Sequence, residues 1–373
     1  MSILLHFVRL LLLPFSLLFG LASEIRNLLF DWGILPVYRS RLPVISVGNI
    51  QAGGTGKTPF TIWLARKLSD VGRVAVVSRG YGRKSKGLKV VYEKGKVLCD
   101  AITGGDEPLL IAHKARPEMV VVAEKRKEAL HHLEVTESAD LVILDDGFQH
   151  RWVARQIDIV LFKRTSSLWQ KLPLPSGFLR EFPWRLKRAH FLLLSGKSGQ
   201  TQRLSWVPVE RQFEMHFNFG RLLDEYLQPL GNADMLSEIR CVAFAGIARP
   251  QGFFAMLKEH GADVLARFAF RDHHIYTEDE ITYLIARARH LQAEWLLCTE
   301  KDLVKIQELL PVLEAEFKAA GVRLAAVDLQ VEIDRENELL NALKKILTKQ
   351  KNGIILGTQF DRGVEQSGSS LGS

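Results

Sequence analysis

A glycine-rich segment that ends in a lysine and a threonine is the first part of the sequence whose residue types could do chemistry. Residues 53–58 read Gly-Gly-Thr-Gly-Lys-Thr, after an apolar β-branched run at 44–47 and before an apolar-periodic stretch. A strand, loop and helix of this kind form a P-loop, whose backbone amides and helix N-terminus bind polyphosphate. Lys57 would add a positive charge at the β/γ-phosphates, and the Thr58 hydroxyl would bind Mg²⁺. We therefore expect a nucleotide site; the alternative is a glycine turn before an ordinary helix.

The match to the strict P-loop pattern is partial. That pattern has a glycine five residues before Gly56, where this chain has Gln51. Neighbouring glycines supply the flexibility that a tight loop needs. The residues predicted to hold the phosphates are Gly53, Gly54, Thr55, Gly56, Lys57 and Thr58.

Two adjacent aspartates follow a second apolar run further along the chain. The residues Leu-Val-Ile-Leu at 141–144 precede Asp145 and Asp146. Carboxylates at the end of a buried strand, downstream of a P-loop, are the Walker-B arrangement, in which they lie beside the P-loop threonine and hold Mg²⁺. The sequence therefore predicts Thr58, Asp145 and Asp146 as metal ligands, the alternative being two carboxylates that cap a turn.

Polar residues between these two motifs are candidates for the acceptor side of a reaction. Asp106 and Glu107 stand at the start of a periodic helix, where carboxylates often do no more than cap the helix. Between two phosphate-site motifs they are also positioned to supply the base that an acceptor hydroxyl needs. Arg79 and Tyr81 follow the strand-like run at 73–77, at the strand end where parallel sheets hold ligands. A glycine-rich turn with a solvated arginine is the alternative there.

An α/β scaffold is needed to bring these residues together. Short apolar strands alternate with periodic helices through both 36–200 and 201–348, and we expect two doubly wound α/β/α lobes. The first lobe is a P-loop NTPase core, strand-like alternation at 211–219 is a connection, and the active site lies in the cleft between the lobes. Residues 1–35 are predicted as a membrane-associated apolar helix, and the Gly/Ser-rich residues 349–373 as a flexible tail.

The N-terminal apolar segment suits a membrane surface. Residues 3–22 are the most apolar window in the chain, but His6, Arg9 and Pro14 interrupt it. The uninterrupted part, 10–22, is shorter than the roughly 20 residues of a transmembrane helix. We expect a helix that lies on, or dips into, the cytoplasmic face of a membrane. A signal peptide and a buried core helix are the alternatives.

Charge and cysteine content restrict the partners. The 373-residue chain carries a net charge of +8, which allows nucleic acid, an anionic membrane surface or a phosphorylated substrate. Neither a zinc-finger spacing nor an RNP-type motif is present, and we expect no nucleic acid. The three cysteines are widely spaced, which favours a reducing compartment over a disulfide framework.

A basic and aromatic stretch at 163–190 is the second sign of a membrane. It holds seven Lys/Arg against one Glu, interleaved with Trp169, Phe178, Phe182 and Trp184. Basic side chains mixed with aromatic rings suit a membrane interface and a phosphorylated glycolipid. Single-stranded nucleic acid could use the same side chains for stacking, and a solvated loop is the structural alternative.

The motifs taken together resemble the tetraacyldisaccharide 4′-kinase family, the lipid A 4′-kinases of Gram-negative bacteria. The segments that carry the resemblance are, in chain order, SVGNIQAGGTGKTP, SRGYG, GDEPLLIA, LDDGFQHR, LPSGFLRE, AFAGIARPQGFF, DHH and TEKD. The resemblance implies transfer of the γ-phosphate of ATP, with Mg²⁺, to the 4′-hydroxyl of a tetraacylated glucosamine disaccharide 1-phosphate, giving lipid IVA. It implies a peripheral or monotopic protein at the cytoplasmic face of the inner membrane, and we expect no obligate protein partner.

The resemblance also implies residue roles. The catalytic residues would be Lys57, Asp106 as the base, and His273 of the DHH segment, which orients that aspartate. By itself, His273 reads as part of a surface turn. Contacts to the nucleotide phosphates or the lipid headgroup, undivided between the two, would come from Arg79, Tyr81, Glu107, His150, Arg180 and Glu181.

The competing function is a switch-type P-loop GTPase or a metallochaperone NTPase. Thr-Glu-Lys-Asp at 299–302 invites comparison with the guanine-reading Asn-Lys-x-Asp motif, but its lysine is displaced by one position. We interpret this segment as a packing or cleft element. A nucleic-acid-dependent ATPase is a third hypothesis.

Overall fold

The computed structural model of the chain describes residues 2–164, 168–196 and 204–348. The tail predicted at 349–373 lies outside these ranges. The helices are α1 (Ser2–Leu11), α2 (Leu13–Asp31), α3 (Lys57–Lys67), α4 (Ala101–Gly104), α5 (Asp106–Ala115), α6 (Arg126–Val135), α7 (Pro250–Glu259), α8 (Glu278–His290), α9 (Glu300–Ile306), α10 (Leu310–Ala320) and α11 (336–348). The strands are β1 (Val44–Asn49), β2 (Val74–Ser78), β3 (Lys89–Glu93), β4 (Lys96–Val97), β5 (Met119–Val122), β6 (Leu141–Asp145), β7 (Ile157–Lys163), β8 (Phe191–Ser195), β9 (Gln212–Leu223), β10 (Pro229–Asn232), β11 (Arg240–Ala245), β12 (Asp263–Ala269), β13 (Trp295–Thr299) and β14 (Arg323–Ile333).

The strands of the described chain form one mixed sheet. Its order is β12-β11-β13-β14-β9-β8-β7-β1-β6-β2-β5-β3-β4, with β10 paired to β9. The P-loop strand β1 lies between β6 and β7 and runs parallel to both, with Val47 opposite Asp145. Strands β1, β2, β5 and β6 are buried along their whole length, because continuous Val/Ile/Leu runs suit parallel strands covered on both faces.

The mixed α/β class is confirmed, but the strands of the two expected lobes are not separate sheets. β9 pairs in parallel with β8, Leu192 being opposite Gln212. It also pairs antiparallel with β14, with Met215 opposite Ile333. One ribbon therefore joins both halves of the sheet. The alternation of strands and helices along the chain could not reveal this single sheet, because alternation carries no information on pairing between distant strands.

The β9–β14 ribbon determines where the strand ends meet. β8 pairs with the beginning of β9, and β13 pairs with the beginning of β14, where Trp295 is opposite Arg323. Because β9 and β14 are antiparallel, the two sets of parallel strands point toward each other, and their carboxyl ends face across the middle of the ribbon. The loops after β1 and β6 therefore lie opposite those after β11 and β13, where α/β sheets hold ligands.

Each half has its own apolar core, but the last helix crosses between them. The core of the first half packs α3 and α5 on the sheet, and the core of the second half packs α8 and α10. Leu339, Leu343 and Leu347 of α11 are buried in the core of the first half. The order of segments along the chain therefore differs from their order in space, and the domain limits predicted at 36–200 and 201–348 remain a prediction.

The N-terminal segment forms two helices, because Pro14 fits the first turn of a helix but interrupts a helix interior. α2 buries Ser16, Gly20, Asn27 and Phe30, and leaves larger apolar side chains such as Leu18 at its surface, 65% exposed. By length and composition α2 could cross a membrane, a test that core helices and signal sequences also pass. The exposed leucines and phenylalanines disagree with the alternative of a buried core helix.

Candidate active site

A cavity of about 660 Å³ lies where the two sets of strand ends face each other. The whole P-loop from Gly53 to Thr58 lines one side of it, together with Asp146 and Arg180. The second half of the chain contributes Phe253, His273, Thr299, Lys301 and Arg249. Neither half encloses the cavity alone, which agrees with the predicted cleft site.

The P-loop has the backbone conformation that its glycines predict. Gly56 has a left-handed φ of +86° and directly precedes α3, which begins at Lys57. A Cβ atom at Gly56 would lie 1.9 Å from Cζ of Phe217 on β9, so the ribbon contacts the loop and leaves no room for a side chain. The P-loop therefore packs directly on the strand that joins the two halves of the sheet.

Gln51, which replaces a glycine of the strict motif, has a structural role. Its side-chain amide donates to the carbonyl of Lys163 at 2.9 Å, and its Oε1 accepts from the amide of the same residue at 2.7 Å. The side chain is buried and satisfies the last backbone groups of β7. Gln51 thereby attaches the beginning of the loop to the neighbouring strand, which a glycine could not do.

Asp145 and Asp146 have different environments at the end of β6. Asp145 is buried and accepts hydrogen bonds from Thr61 at 3.2 Å and Ser78 at 3.1 Å. Burial raises the pKa of Asp145 to about 6, helped by the negative charges of Glu107 and Asp146.

Asp146 lines the cavity next to two cations. Its carboxylate lies 3.5 Å from Lys57 Nζ and 3.0 Å from Nη1 of Arg180. Burial favours a higher pKa for Asp146, but the charges of Lys57 and Arg180 outweigh it and lower the pKa below its ordinary value. An ionised carboxylate therefore faces the P-loop lysine.

Asp106 and His273 form a close pair. Nδ1 of His273 lies 2.9 Å from Oδ2 and 3.1 Å from Oδ1 of Asp106, and Asp106 is 5% exposed. Gly105, with a left-handed φ of +92°, turns the chain so that Asp106 begins α5. Burial favours a raised pKa for Asp106, but the hydrogen bond from His273 and the charge of Lys301 lower it overall. The same hydrogen bond raises the pKa of His273.

Lys301 is a site residue that the sequence interpretation missed. Its Nζ lies 3.0 Å from Oε1 of Glu107, 3.6 Å from Asp106 and 3.8 Å from Asp272. The Thr-Glu-Lys-Asp segment follows β13 directly, so Lys301 lies at the carboxyl end of a parallel strand. Its position at a strand end, more than the resemblance to a GTPase motif, was the feature of the sequence that could have indicated a site residue.

The sequence matches one protein family over nearly its whole length. A family model described as tetraacyldisaccharide-1-P 4′-kinase matches residues 8–348. The chain belongs to the tetraacyldisaccharide 4′-kinase family. The tetraacyldisaccharide 4′-kinase of Chlorobium phaeovibrioides is 36% identical over 350 residues, which cover 90% of this chain and 97% of that protein. The enzyme of the same name from Haemophilus influenzae is 37% identical over 299 residues, covering 80% of this chain and 83% of that protein.

A solved structure of this family has the same fold. The crystal structure of apo-form LpxK from Aquifex aeolicus in complex with ATP superimposes with a TM-score of 0.76 at 33% identity, covering 91% of this chain and 99% of that one. The chain is therefore an ATP-dependent kinase of lipid A biosynthesis that phosphorylates the 4′ position of a tetraacyldisaccharide precursor. The alternatives of a switch-type GTPase or a metallochaperone NTPase are not favoured.

Some of the predicted substrate-contact residues of this kinase line the cavity and others do not. Tyr81, Glu107 and Arg180 line it, and the Tyr81 ring lies 5.2 Å from the ring of His273. Arg79 is exposed outside the lining. His150 is half-buried, and burial together with nearby arginines lowers its pKa to about 4.

Glu181 is not brought to the cavity. It is fully buried beneath α2, where Asn27 donates to it at 2.9 Å and Arg188 lies 3.3 Å away. A contact between Glu181 and the substrate therefore stays a prediction. Its contacts attach α2 to the segment 181–188.

Proposed function

We propose that this kinase transfers the γ-phosphate of Mg-ATP to the 4′-hydroxyl of a tetraacylated glucosamine disaccharide 1-phosphate, giving lipid IVA, with Asp106 as the base. The observation that carries the residue assignment is the Asp106–His273 pair, with an N···O distance of 2.9 Å, beside the cavity that the P-loop lines. A carboxylate held by a histidine, close to a phosphate-binding loop, is the arrangement that phosphoryl transfer to an alcohol needs.

The P-loop would bind the triphosphate. Residues from Gly53 to Thr58 line the cavity at the start of α3, whose N-terminus favours anions. Lys57 is close to the cavity carboxylate Asp146 and would neutralise charge on the transferred phosphoryl group. Arg180, on the same carboxylate, would add a second cation at this end of the cavity.

Thr58, Asp145 and Asp146 would hold a Mg²⁺ ion. Over residues 2–164, 168–196 and 204–348, no group of three or more His, Cys, Asp or Glu side chains is arranged to hold a metal by itself. This donor set suits Mg²⁺, which commonly takes one or two carboxylates and completes its shell with phosphate oxygens and water. Bound there, the ion would neutralise charge on the β- and γ-phosphates. Burial raises the pKa of Asp145, and the negative charges of Glu107 and Asp146 raise it further; a bound cation would relieve that repulsion.

Asp106 would accept the proton of the sugar hydroxyl. The 4′-oxygen forms its bond to the γ-phosphorus as the bond to ADP breaks, and the hydroxyl proton passes to the carboxylate. With a lowered pKa, Asp106 is ionised at neutral pH and is a weak base. A weak base suffices because the alcohol loses its proton late, when the phosphate ester is largely formed. His273 orients the carboxylate through both of its oxygens.

The N-terminal helices would bring the site to the cytoplasmic face of the inner membrane as a peripheral or monotopic attachment. The polar side of α2 is held to the protein: Arg185 donates to Glu24 at 2.9 Å and to Asp31 at 2.6 Å. Its apolar side remains at the surface, with Phe15 62% exposed and Leu17 60% exposed. Apolar side chains flanked by basic residues suit an anionic bilayer surface. A glycolipid acceptor could keep its acyl chains in the bilayer while its sugar enters the cavity.

The proposed reaction is tested by thin-layer detection of ³²P transfer from ATP to the disaccharide 1-phosphate glycolipid. We expect a labelled lipid product with the wild-type protein and Mg²⁺, and loss of the product with Lys57→Ala or with excess EDTA. GTP hydrolysis that proceeds without any acceptor, with no labelled lipid, would contradict the proposal.

A further inference from the structure

The ammonium group of Lys301 faces both members of the Asp106–His273 pair. Its Nζ lies 3.6 Å from Oδ2 of Asp106 and 3.5 Å from Nε2 of His273. Its closest partner is Oε1 of Glu107 at 3.0 Å, and only 17% of its side chain is exposed. One buried cation is thus shared among the base, the histidine that orients the base, and neighbouring carboxylates.

Lys301 extends from a rigid part of the fold. Thr299 caps the N-terminus of α9, and its hydroxyl donates to Asp302 at 2.6 Å. Asp302 is fully buried and also accepts from the Tyr276 hydroxyl at 2.9 Å and from the amide of Gly246 at 3.1 Å. The first turn of α9 is therefore fixed to the second half of the sheet, and with it the stem of Lys301.

A second contact fixes α9 relative to α5, the helix that begins with Asp106. Lys114 of α5 forms buried ion pairs with Glu300 of α9 and with Asp328 of β14. Lys301 follows Glu300 directly, so this ion pair holds α9 to α5 one residue away from Lys301. Its distance to Asp106 is consequently set by backbone elements and not by a flexible side chain alone.

The Asp106 carboxylate and the Lys301 ammonium together favour one neutral tautomer of His273. A lysine ammonium has three donors and no acceptor, so Nε2 of His273, which faces it, must be the acceptor nitrogen. The ring proton is then on Nδ1, which donates to Asp106. An imidazolium would instead bring two cations together. Lys301 therefore opposes protonation of His273 and favours ionised Asp106.

We propose that Lys301 is a positioning residue of the kinase reaction, which keeps Asp106 ionised and His273 in its Nδ1–H tautomer so that the carboxylate can take the acceptor proton. This rests on the proposed function of Asp106. Lys301 itself makes and breaks no bond and keeps its protons throughout. It acts through the pair and not on the phosphoryl group.

The pKa values of the pair agree with this role. The Lys301 charge is the second cause, after the His273 hydrogen bond, that lowers the pKa of Asp106 against the effect of burial. It also lowers the pKa of His273 against the effect of Asp106. Removing Lys301 should therefore raise both values. The charged or titratable groups that face the pair from all surrounding elements are Tyr81, Glu107, Asp272, Lys301 and Lys305.

The test is the pH dependence of kcat for Lys301→Met and Lys301→Arg. We expect the acid limb of the methionine variant to move up by about one pH unit, so that kcat falls by about tenfold at pH values on that limb. The KM for ATP should stay within about twofold, since Lys301 acts on the acceptor side. Arginine, which keeps the charge, should return the acid limb to the wild-type position. Lys318→Met, the same charge change at an exposed residue of α10, should leave kcat and the profile unchanged.

A loss of kcat in Lys301→Met without movement of the acid limb would mean a merely structural role and would overturn the proposal. If the methionine variant does not fold, Lys301→Gln keeps a donor for Glu107 without the charge, and its acid limb must move in the same direction.

A measurement without turnover separates this proposal from the proposed function. In ¹⁵N-histidine NMR of the full chain, assigned with His273→Gln, wild-type His273 should be the neutral Nδ1–H tautomer, and in Lys301→Met it should be more protonated at Nε2 at the same pH. An Nε2–H tautomer in the wild type would contradict the proposal even if the kinase assay succeeds.

Discussion

At the scale of single residues, the site keeps two ionised carboxylates at different positions with different cations. Asp146 lies beside Lys57 and Arg180, on the side of the P-loop. Asp106 lies beside His273, with Lys301 further away. The nucleotide side and the acceptor side of the cavity therefore have separate charge balances, and substitutions on the two sides should affect different kinetic constants.

Asp106→Ala should lose most of kcat, by about 10²–10⁴-fold, with only a modest change in the KM for ATP. The physical reason is that Asp106 contacts groups on the acceptor side and none of the P-loop cations in the contacts described. Steady-state kinetics with varied ATP at saturating lipid measures both constants. Asp279→Ala, at an exposed position in the first turn of α8, is the matched control. An unimpaired kcat in Asp106→Ala would exclude Asp106 as the base.

At the scale of elements, helices α5 and α9 and strand β14 meet at a buried cluster of charges. Lys114 is 9% exposed, Glu300 6% and Asp328 4%, by side chain. Glu300 also accepts from the amide of Leu329 at 3.0 Å, which ties the cluster to the ribbon. Removing Lys114 would leave two adjacent buried carboxylates with Arg221, 3.7 Å from Asp328, as the nearest remaining cation. Losing the closest cation of a buried cluster costs far more than losing an exposed ion pair.

Lys114→Met should therefore lower the free energy of unfolding by about 3–5 kcal/mol. Urea titration followed by tryptophan fluorescence gives this value. Lys344→Met provides the comparison, because Lys344 pairs with Asp70 at the surface, where solvent screens the ion pair and its loss should cost far less. Equal losses in the two variants would mean that the cluster does not hold α5, α9 and β14 together.

At the scale of the whole molecule, the polar face of α2 contacts the rest of the protein, and its apolar face remains at the surface. Polar residues on one side of α2, including Glu24 and Asn27, hold the helix to residues 181–188. The same segment is continuous with Arg180, which lines the cavity. The helix with exposed leucines and phenylalanines and the phosphate-binding cavity are thus attached to one stretch of chain. That arrangement agrees with the proposed attachment of the enzyme to a membrane surface.

Binding to a bilayer should depend on the exposed face of α2. Phe15→Asp combined with Leu18→Asp should reduce co-sedimentation with phosphatidylglycerol-containing vesicles by about tenfold or more, because each large apolar side chain contributes about 1.5–3 kcal/mol when it leaves water. Val312→Asp, at a 60% exposed position of α10, controls for an added surface charge. Unchanged sedimentation of the double variant would exclude this face as the membrane contact.

The sequence by itself determined the local chemistry of this protein. The P-loop at 53–58 and the aspartates at 145 and 146 lie within or next to single elements, so residue type and spacing dictate their backbone and their charge. Parallel pairing of β1 with β6 then brings both motifs to one edge, a rule that holds for α/β sheets in general. Spacing was sufficient because each motif acts through its own strand end.

Only the tertiary structure decided how the acceptor side is built. His273 is 167 residues from Asp106 along the chain, and Lys301 is 194 residues from Glu107. Their meeting depends on the antiparallel ribbon of β9 and β14, which directs two sets of strand ends at each other. The role of Gln51 likewise became visible only in the structure, where its side chain binds the last residue of β7. Local spacing determines which charged residues lie at the end of a strand. The pairing of distant strands determines which other charged residues lie next to them in the folded protein.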